Sequence, residues 1–227
     1  MKSKLPIYLS ALALLTSTPA GAATYLISAQ TGLIAPSTRG GADSAFYGWD
    51  TFNDPANRAQ PIDDATPDIG TSVAGARFRT TNGEDHVLGS GNFYLFAGTP
   101  AEDVTAVSAG ILGTGFTSVI LQGVTAFDAY PGLWSFPAVN GVTPEFAQGV
   151  NAAGFGQFWV KYDFPGNAGS YAIPFSAGGP HYSIDKFTVD TVWNAQGFSP
   201  DSALAVPEPS GAALALLALS AGLRRRR

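Results

Sequence analysis

The sequence predicts an all-β fold, an antiparallel β-sandwich of jelly-roll type. Three observations carry the prediction. Turn-forming and aromatic residues are abundant, with 27 glycines, 16 prolines, 15 phenylalanines and 8 tyrosines in 227 residues. Apolar residues in the body come in short, strand-length runs, and long helical patterns are missing. Turn dipeptides punctuate these runs. A β-barrel is the alternative closure, and the lack of an internal repeat argues against propellers and solenoids.

The elements follow in chain order. Thr24 to Ser28 reads as a first, edge strand, and residues 29–45 as a Gly/Ala/Ser/Thr-rich loop. Phe46 to Phe52 is a short aromatic strand. Asn53 to Gly70 is polar and proline-punctuated, and reads as a loop of 18 residues, a length that compact domains keep for function or ion binding. Val73 to Arg79 is strand-like and leads to Asn82-Gly83, a type I′ turn dipeptide. Strands are expected at Asn92 to Ala97, Val104 to Val107 and Ser118 to Val124, the last two separated by a bend at Gly110, Gly113 and Gly115. Phe127 to Phe136 is aromatic and turn-rich, and Asn140-Gly141 is a second hairpin signal.

Phe155 to Phe164 alternates most clearly. Phe158, Val160, Tyr162 and Phe164 point one way, and Gln157, Trp159, Lys161 and Asp163 the other. Ser170 to Phe175 follows. In Tyr182 to Trp193 the apolar phase changes between Ile184 and Phe187, which a bulge near Asp185-Lys186 reconciles. Gln196 to Ala205 reads as a linker. The resulting division is a signal peptide over 1–22, a body over 23–197, a linker over 198–205 and a tail over 206–227.

The two ends are address labels. Lys2 and Lys4 form a positive n-region, Ile7 to Leu15 an apolar h-region, and Ala20-Gly21-Ala22 a small-residue cleavage pattern. The expectation is export from a bacterial cytoplasm. At the other end, Val206, Pro207, Glu208 and Pro209 lead into a short apolar helix candidate, Gly211 to Leu223, which ends at Arg224, Arg225, Arg226 and Arg227. Pro207 and Pro209 bar the helix from extending upstream. The arginines favour the cytoplasmic side. Thirteen helical residues span only about 20 Å, against a hydrocarbon core of about 30 Å, which suits transient insertion better than stable anchoring.

This order of Pro-Glu-Pro, apolar run and arginine cluster at the C-terminus resembles the PEP-CTERM sorting tail. The resemblance covers Val206 to Arg227 alone. It implies that Val206, Pro207, Glu208 and Pro209 are read by exosortase, an integral-membrane cysteine peptidase-transpeptidase. It also implies transient inner-membrane residence before the protein reaches the cell surface or extracellular polysaccharide. The apolar run is shorter than the family's pattern leads one to expect.

Charge and cysteine count narrow the body's function. Six of the twelve basic residues lie in the ends (Lys2, Lys4 and Arg224 to Arg227), as does one of the seventeen acids, Glu208. The part between therefore carries 6 basic and 16 acidic residues. Nucleic acid binding is disfavoured, since it needs phosphate neutralisation by Lys and Arg. With no cysteine, disulfides, thiolate zinc sites and cysteine nucleophiles are excluded.

Three candidate chemistries remain in the body. Asp50, Asp54, Asp63, Asp64 and Asp68, with Asn53 and Asn57, offer oxygen ligands for calcium, although EF-hand spacing is absent and Asx-Pro turns explain them equally well. Trp49, Trp134, Trp159 and Trp193 fill either a core or a sugar-stacking platform, and Trp159 is the best platform candidate because it lies on the polar parity of its strand. His86 and His181 have no motif context, Glu84-Asp85-His86 reads as a hairpin end, and Gly113-Thr114-Gly115 reads as a bend rather than a phosphate loop. The reading is of a non-enzymatic surface or matrix protein, with a calcium-assisted carbohydrate-binding module as the alternative and a hydrolase behind it.

Overall fold

The computed structural model describes residues 24–25, 32–53, 62–80, 85–87, 90–95, 102–125, 134–177 and 182–205. These residues contain fifteen strands and no helix. The strands are β1 (Thr24–Tyr25), β2 (Ser44–Trp49), β3 (Asp63–Asp64), β4 (Ile69–Gly70), β5 (Arg77–Thr80), β6 (Asp85–Val87), β7 (Phe93–Leu95) and β8 (Glu102–Val107). They continue with β9 (Phe116–Thr125), β10 (Trp134–Ser135), β11 (Glu145–Val150), β12 (Gly156–Pro165), β13 (Ser170–Ala177), β14 (Tyr182–Asn194) and β15 (Leu204–Ala205).

Two antiparallel sheets form the sandwich. The larger runs β11-β12-β9-β14-β2-β4, with β7 pairing the start of β14 and β6 pairing β7. The smaller runs β10-β13-β8-β5-β3. Between them the pairing is nested: β2 with β14 in the larger sheet, β8 with β13 in the smaller, β9 with β12 in the larger again. A long hairpin wound around a core pairs its strands in this order, and that is the jelly-roll arrangement. The innermost turn is Asn140-Gly141, where φ values of 51° and 79° and the Val139–Val142 bridge form the predicted tight turn. One strand departs from the nesting: β11 pairs β12 at the edge of the larger sheet. Strands β3 to β7 are an insertion between β2 and β8.

The core lies between the sheets and is mainly aromatic. Phe78 meets Trp49, Phe52, Phe93, Phe175 and Phe187 at ring-centroid distances of 5.0–6.0 Å. Phe158 extends this cluster to Trp134, Phe136 and Phe187. Each such side chain contributes about 1.5–3 kcal/mol by leaving water. The expected alternation of β12 is observed, since Phe158, Val160, Tyr162 and Phe164 all join the central cluster. The bulge is also observed, as a register shift between Ile184 and Lys186 against β9. It lets Ile184 and Phe187 both face inward, each fully buried.

Two expectations differ from the structure. The stretch read as one long loop contains β3 and β4, which pair with β5 and β2. Of the expected first strand, Thr24–Tyr25 form β1, which makes a two-stranded ribbon with β15, and residues 26–28 lie outside the described residues. The stretch read as a linker is packed onto the larger sheet: Ser199 and Ala203 are buried. Composition marks such a segment as polar and small, but its side chains find partners on the sheet that composition does not display.

Candidate functional site

The outer face of the larger sheet, turned away from the core, is the most structured polar surface of the body. The register of β11, β12, β9, β14 and β2 builds it row by row. Trp159, Gln122 and Thr188 form one row, Lys161, Ile120 and Asp190 the next, and Asp163, Ser118 and Val192 the third. Two segments cover it. Residues 32–43 form an N-terminal strap leading into β2, and residues 198–205 form a C-terminal strap.

The straps are held by side chains reading backbone. Gln122 accepts from Ile34 N at 2.8 Å and donates to Ile34 O at 2.7 Å, so one amide side chain satisfies both backbone groups of a single residue. Arg39 makes a two-pronged ion pair with Asp190, 2.7 Å at each contact, and its guanidinium lies 3.6 Å over the Phe46 ring. Burial pushes the Asp190 carboxyl above its ordinary range, and Arg39 opposes that shift without cancelling it.

On the C-terminal side, Lys161 is buried, pairs with Asp163 at 3.1 Å and donates to Ser199 O. Ser199 N donates to Ser118 Oγ at 3.0 Å. Asp201 accepts from Ser37 N (2.7 Å), Thr38 Oγ1 (3.0 Å) and Ser199 Oγ (2.7 Å), which ties the two straps together. Burial raises the Asp201 pKa, but these donors outweigh it and leave the carboxyl below its ordinary range. Ser202 Oγ donates to Glu145. Ala203 then closes a small apolar cluster with Ile120, Ala147, Trp159 and Ile34.

This arrangement corrects the reading of Trp159. It lies on the polar parity of its strand, as expected, yet is only 1% exposed. The straps form a third layer over that parity, so the indole packs against Ala203 and Ile34 and offers no platform for a sugar ring. Trp49 and Trp134 are buried in the central core. Trp193 is half-buried at the sandwich end, where its Nε1 donates to Thr114 O at 2.8 Å. A Cβ at Gly110 would come within 2.4 Å of its ring and one at Gly115 within 2.6 Å of Nε1, so the glycine-rich bend exists to seat this indole. A groove of about 460 Å³ beside it is lined by Ser37, Thr38, Asp43, Trp193, Asn194 and Gln196.

The aspartates expected around calcium are largely taken by protein partners. Asp64 is buried and accepts from Asn53 N, Asn53 Nδ2, Thr66 N and Thr66 Oγ1 at 2.8–3.1 Å. Asp68 accepts from Asp50 N at 3.0 Å. Asp63 pairs with Arg77 at 2.9 Å, and Asp50 with Lys186 at 3.5 Å. The Thr66 amide on Asp64 closes an Asx turn, the Thr66 hydroxyl adds a second local bond, and the other bonds tie these aspartates to residues distant in sequence. Among the described residues, no group of three or more acidic or histidine side chains is placed to hold a metal ion. Asp54 and Asn57 lie outside the described residues, as does His181, and His86 stands in β6 opposite Tyr94.

The sorting residues Val206, Pro207, Glu208, Pro209 and Arg224 to Arg227, and the cleavage residues Ala20 and Ala22, also lie outside the described residues. Sequence reasoning missed the straps. Their only signal is the spacing of small and hydroxyl-bearing residues, Ser37, Thr38, Ser199, Asp201 and Ser202, which resembles loop composition. Comparison with family models, curated proteins and solved structures found no match to this chain.

Proposed function

We propose that this chain is a non-enzymatic exported protein, sorted through its C-terminal tail by an exosortase and delivered to the cell surface or the extracellular polysaccharide. The observation that carries the reading is the order of three parts in 22 residues: Val206-Pro207-Glu208-Pro209, the apolar run Gly211 to Leu223, and Arg224 to Arg227. Each part has a physical task. The prolines keep the motif extended for a peptidase, the apolar run enters the bilayer, and the arginines stop it at the cytoplasmic face. The N-terminal signal features supply the matching export step.

The body supports this reading as a stable cargo. A jelly-roll sandwich with an aromatic core and no cysteine is stabilised by apolar burial rather than by disulfides. Its acidic surface keeps an exported protein soluble. The carbohydrate-module alternative loses its best platform with the burial of Trp159.

The deciding experiment replaces Pro207-Glu208-Pro209 with alanines in the full chain, expressed in a host that carries the sorting enzyme. Full-length protein is expected to stay in the inner membrane. Release to the surface at the unaltered rate would refute the sorting role.

A further inference from the structure

We infer that the C-terminal strap controls how far the sorting motif can reach from the folded body, and that its release from the larger sheet supplies the slack needed for processing. The inference rests on the sorting role proposed above and adds a regulatory step to it.

The strap is part of the fold up to the residues just before the motif. Ser199 is held at both backbone groups, by Ser118 Oγ and Lys161 Nζ. Asp201 is held by Ser37, Thr38 and Ser199, and Ser202 by Glu145. Ala203 is fully buried against Trp159 and Ile120. Val206 follows three residues later. An extended chain covers about 3.3–3.6 Å per residue, so with the strap docked Pro209 lies no more than about 20 Å along the chain from its last buried side chain. With the strap released, the free chain starts near Gly197 and the same limit becomes about 40 Å.

That difference matters for an enzyme embedded in the bilayer. Packed sheets alone stand about 10 Å apart, and the strap layer adds to this thickness. A body of that size on a short tether is pressed against the membrane surface and against the enzyme's mouth. On the longer tether the motif enters while the body stands clear.

The strap is also the part built to open. It is held by a handful of side-chain hydrogen bonds, one alanine methyl and the two-residue pairing of β15 with β1, whereas the strands beneath it carry the aromatic core. Local opening draws on such weakly packed elements. Asp201 is the clasp, because it accepts from two donors of the N-terminal strap, Ser37 N and Thr38 Oγ1.

Pulse-chase of the full chain in the sorting host tests this with three variants. Asp201→Ala removes the clasp, and the loss of its hydrogen bonds raises strap opening by about tenfold or more. An eight-residue Gly/Ser spacer inserted between Ala205 and Val206 lengthens the tether and leaves the body untouched. Both are expected to speed conversion of precursor to released protein several-fold, and the two changes combined are expected to add little beyond either one. Wild-type rates in both variants, with Pro207-Glu208-Pro209→alanine still retained in the membrane, would overturn the strap's role while sparing the sorting role. Unaltered release of the alanine variant would overturn both.

Discussion

Asp201, in the C-terminal strap, and Asp190, on the sheet beneath Arg39, have environments that push them in opposite directions. Asp190 is raised by burial that Arg39 only partly offsets. Asp201 is lowered from 3.8 because Ser199, Ser37 and Thr38 donate to it, in spite of burial. The signs differ accordingly. A carboxyl depressed in the folded state contributes stability above its unfolded value, and loses it as pH falls through the folded one. A raised carboxyl does the reverse. Strap docking through Asp201 is therefore expected to weaken in acid, below about pH 4. The Ser37 amide reports it: its hydrogen-exchange protection should fall through that range in the native chain and stay flat in Asp201→Asn. Equal pH dependence in both would show that Asp201 does not carry the clasp. Trp159 is the other instructive residue. Alternation along β12 correctly separates it from Phe158 and Val160, but parity states only that a side chain faces away from the core. Whether water or a third layer meets it there depends on segments far away in sequence.

Among elements, the stretch from Asn53 to Gly70 shows how the same residues serve two readings. Carboxylates and amides at short spacing suit calcium and also suit turns. Asp64 itself is taken up by protein partners, since one buried carboxylate gathers four donors from Asn53 and Thr66. Two expectations follow from this arrangement. Calcium and a chelator should give the same melting temperature in calorimetry, and a drop on chelation would restore the metal. Asp64→Ala should cost about 2–3 kcal/mol by urea denaturation, because it removes the charged acceptor of four hydrogen bonds. The bulge in β14 and the Asn140-Gly141 turn were legible beforehand, because both are local: a phase change and a dipeptide that tolerates positive φ. The straps were not legible, because nothing within 198–205 names the sheet that receives it.

At the scale of the molecule, the structure is a sandwich with an added layer. The nested pairs β2 with β14, β8 with β13 and β9 with β12 bring together residues from 33 (Val124 and Gln157) to 148 (Ser44 and Val192) positions apart, across the two sheets. The straps then lay the segments flanking that system side by side over the larger sheet. A chain ending at Gly197 keeps every strand of the two sheets but loses Ser199, Asp201 and Ala203 from the outer face. It should be less stable by about 3 kcal/mol or more in urea, with Trp159 emission shifted to the red as water reaches the indole. Unchanged stability and emission would mean that the strap is an ornament of the fold.

By itself the sequence determined the all-β class, the alternation of β12, the bulge and the tight turn, because each is written in neighbouring residues and short-range sterics. Tertiary structure decided what the outer face of the larger sheet meets. It converted an expected linker into a docked strap, and the best candidate for a sugar platform into a buried indole. The physical reason is the same in both. Burial and hydrogen-bond satisfaction are properties of what packs against a residue, and here the partners lie tens to more than a hundred residues away in sequence, or are backbone groups that no side-chain pattern records.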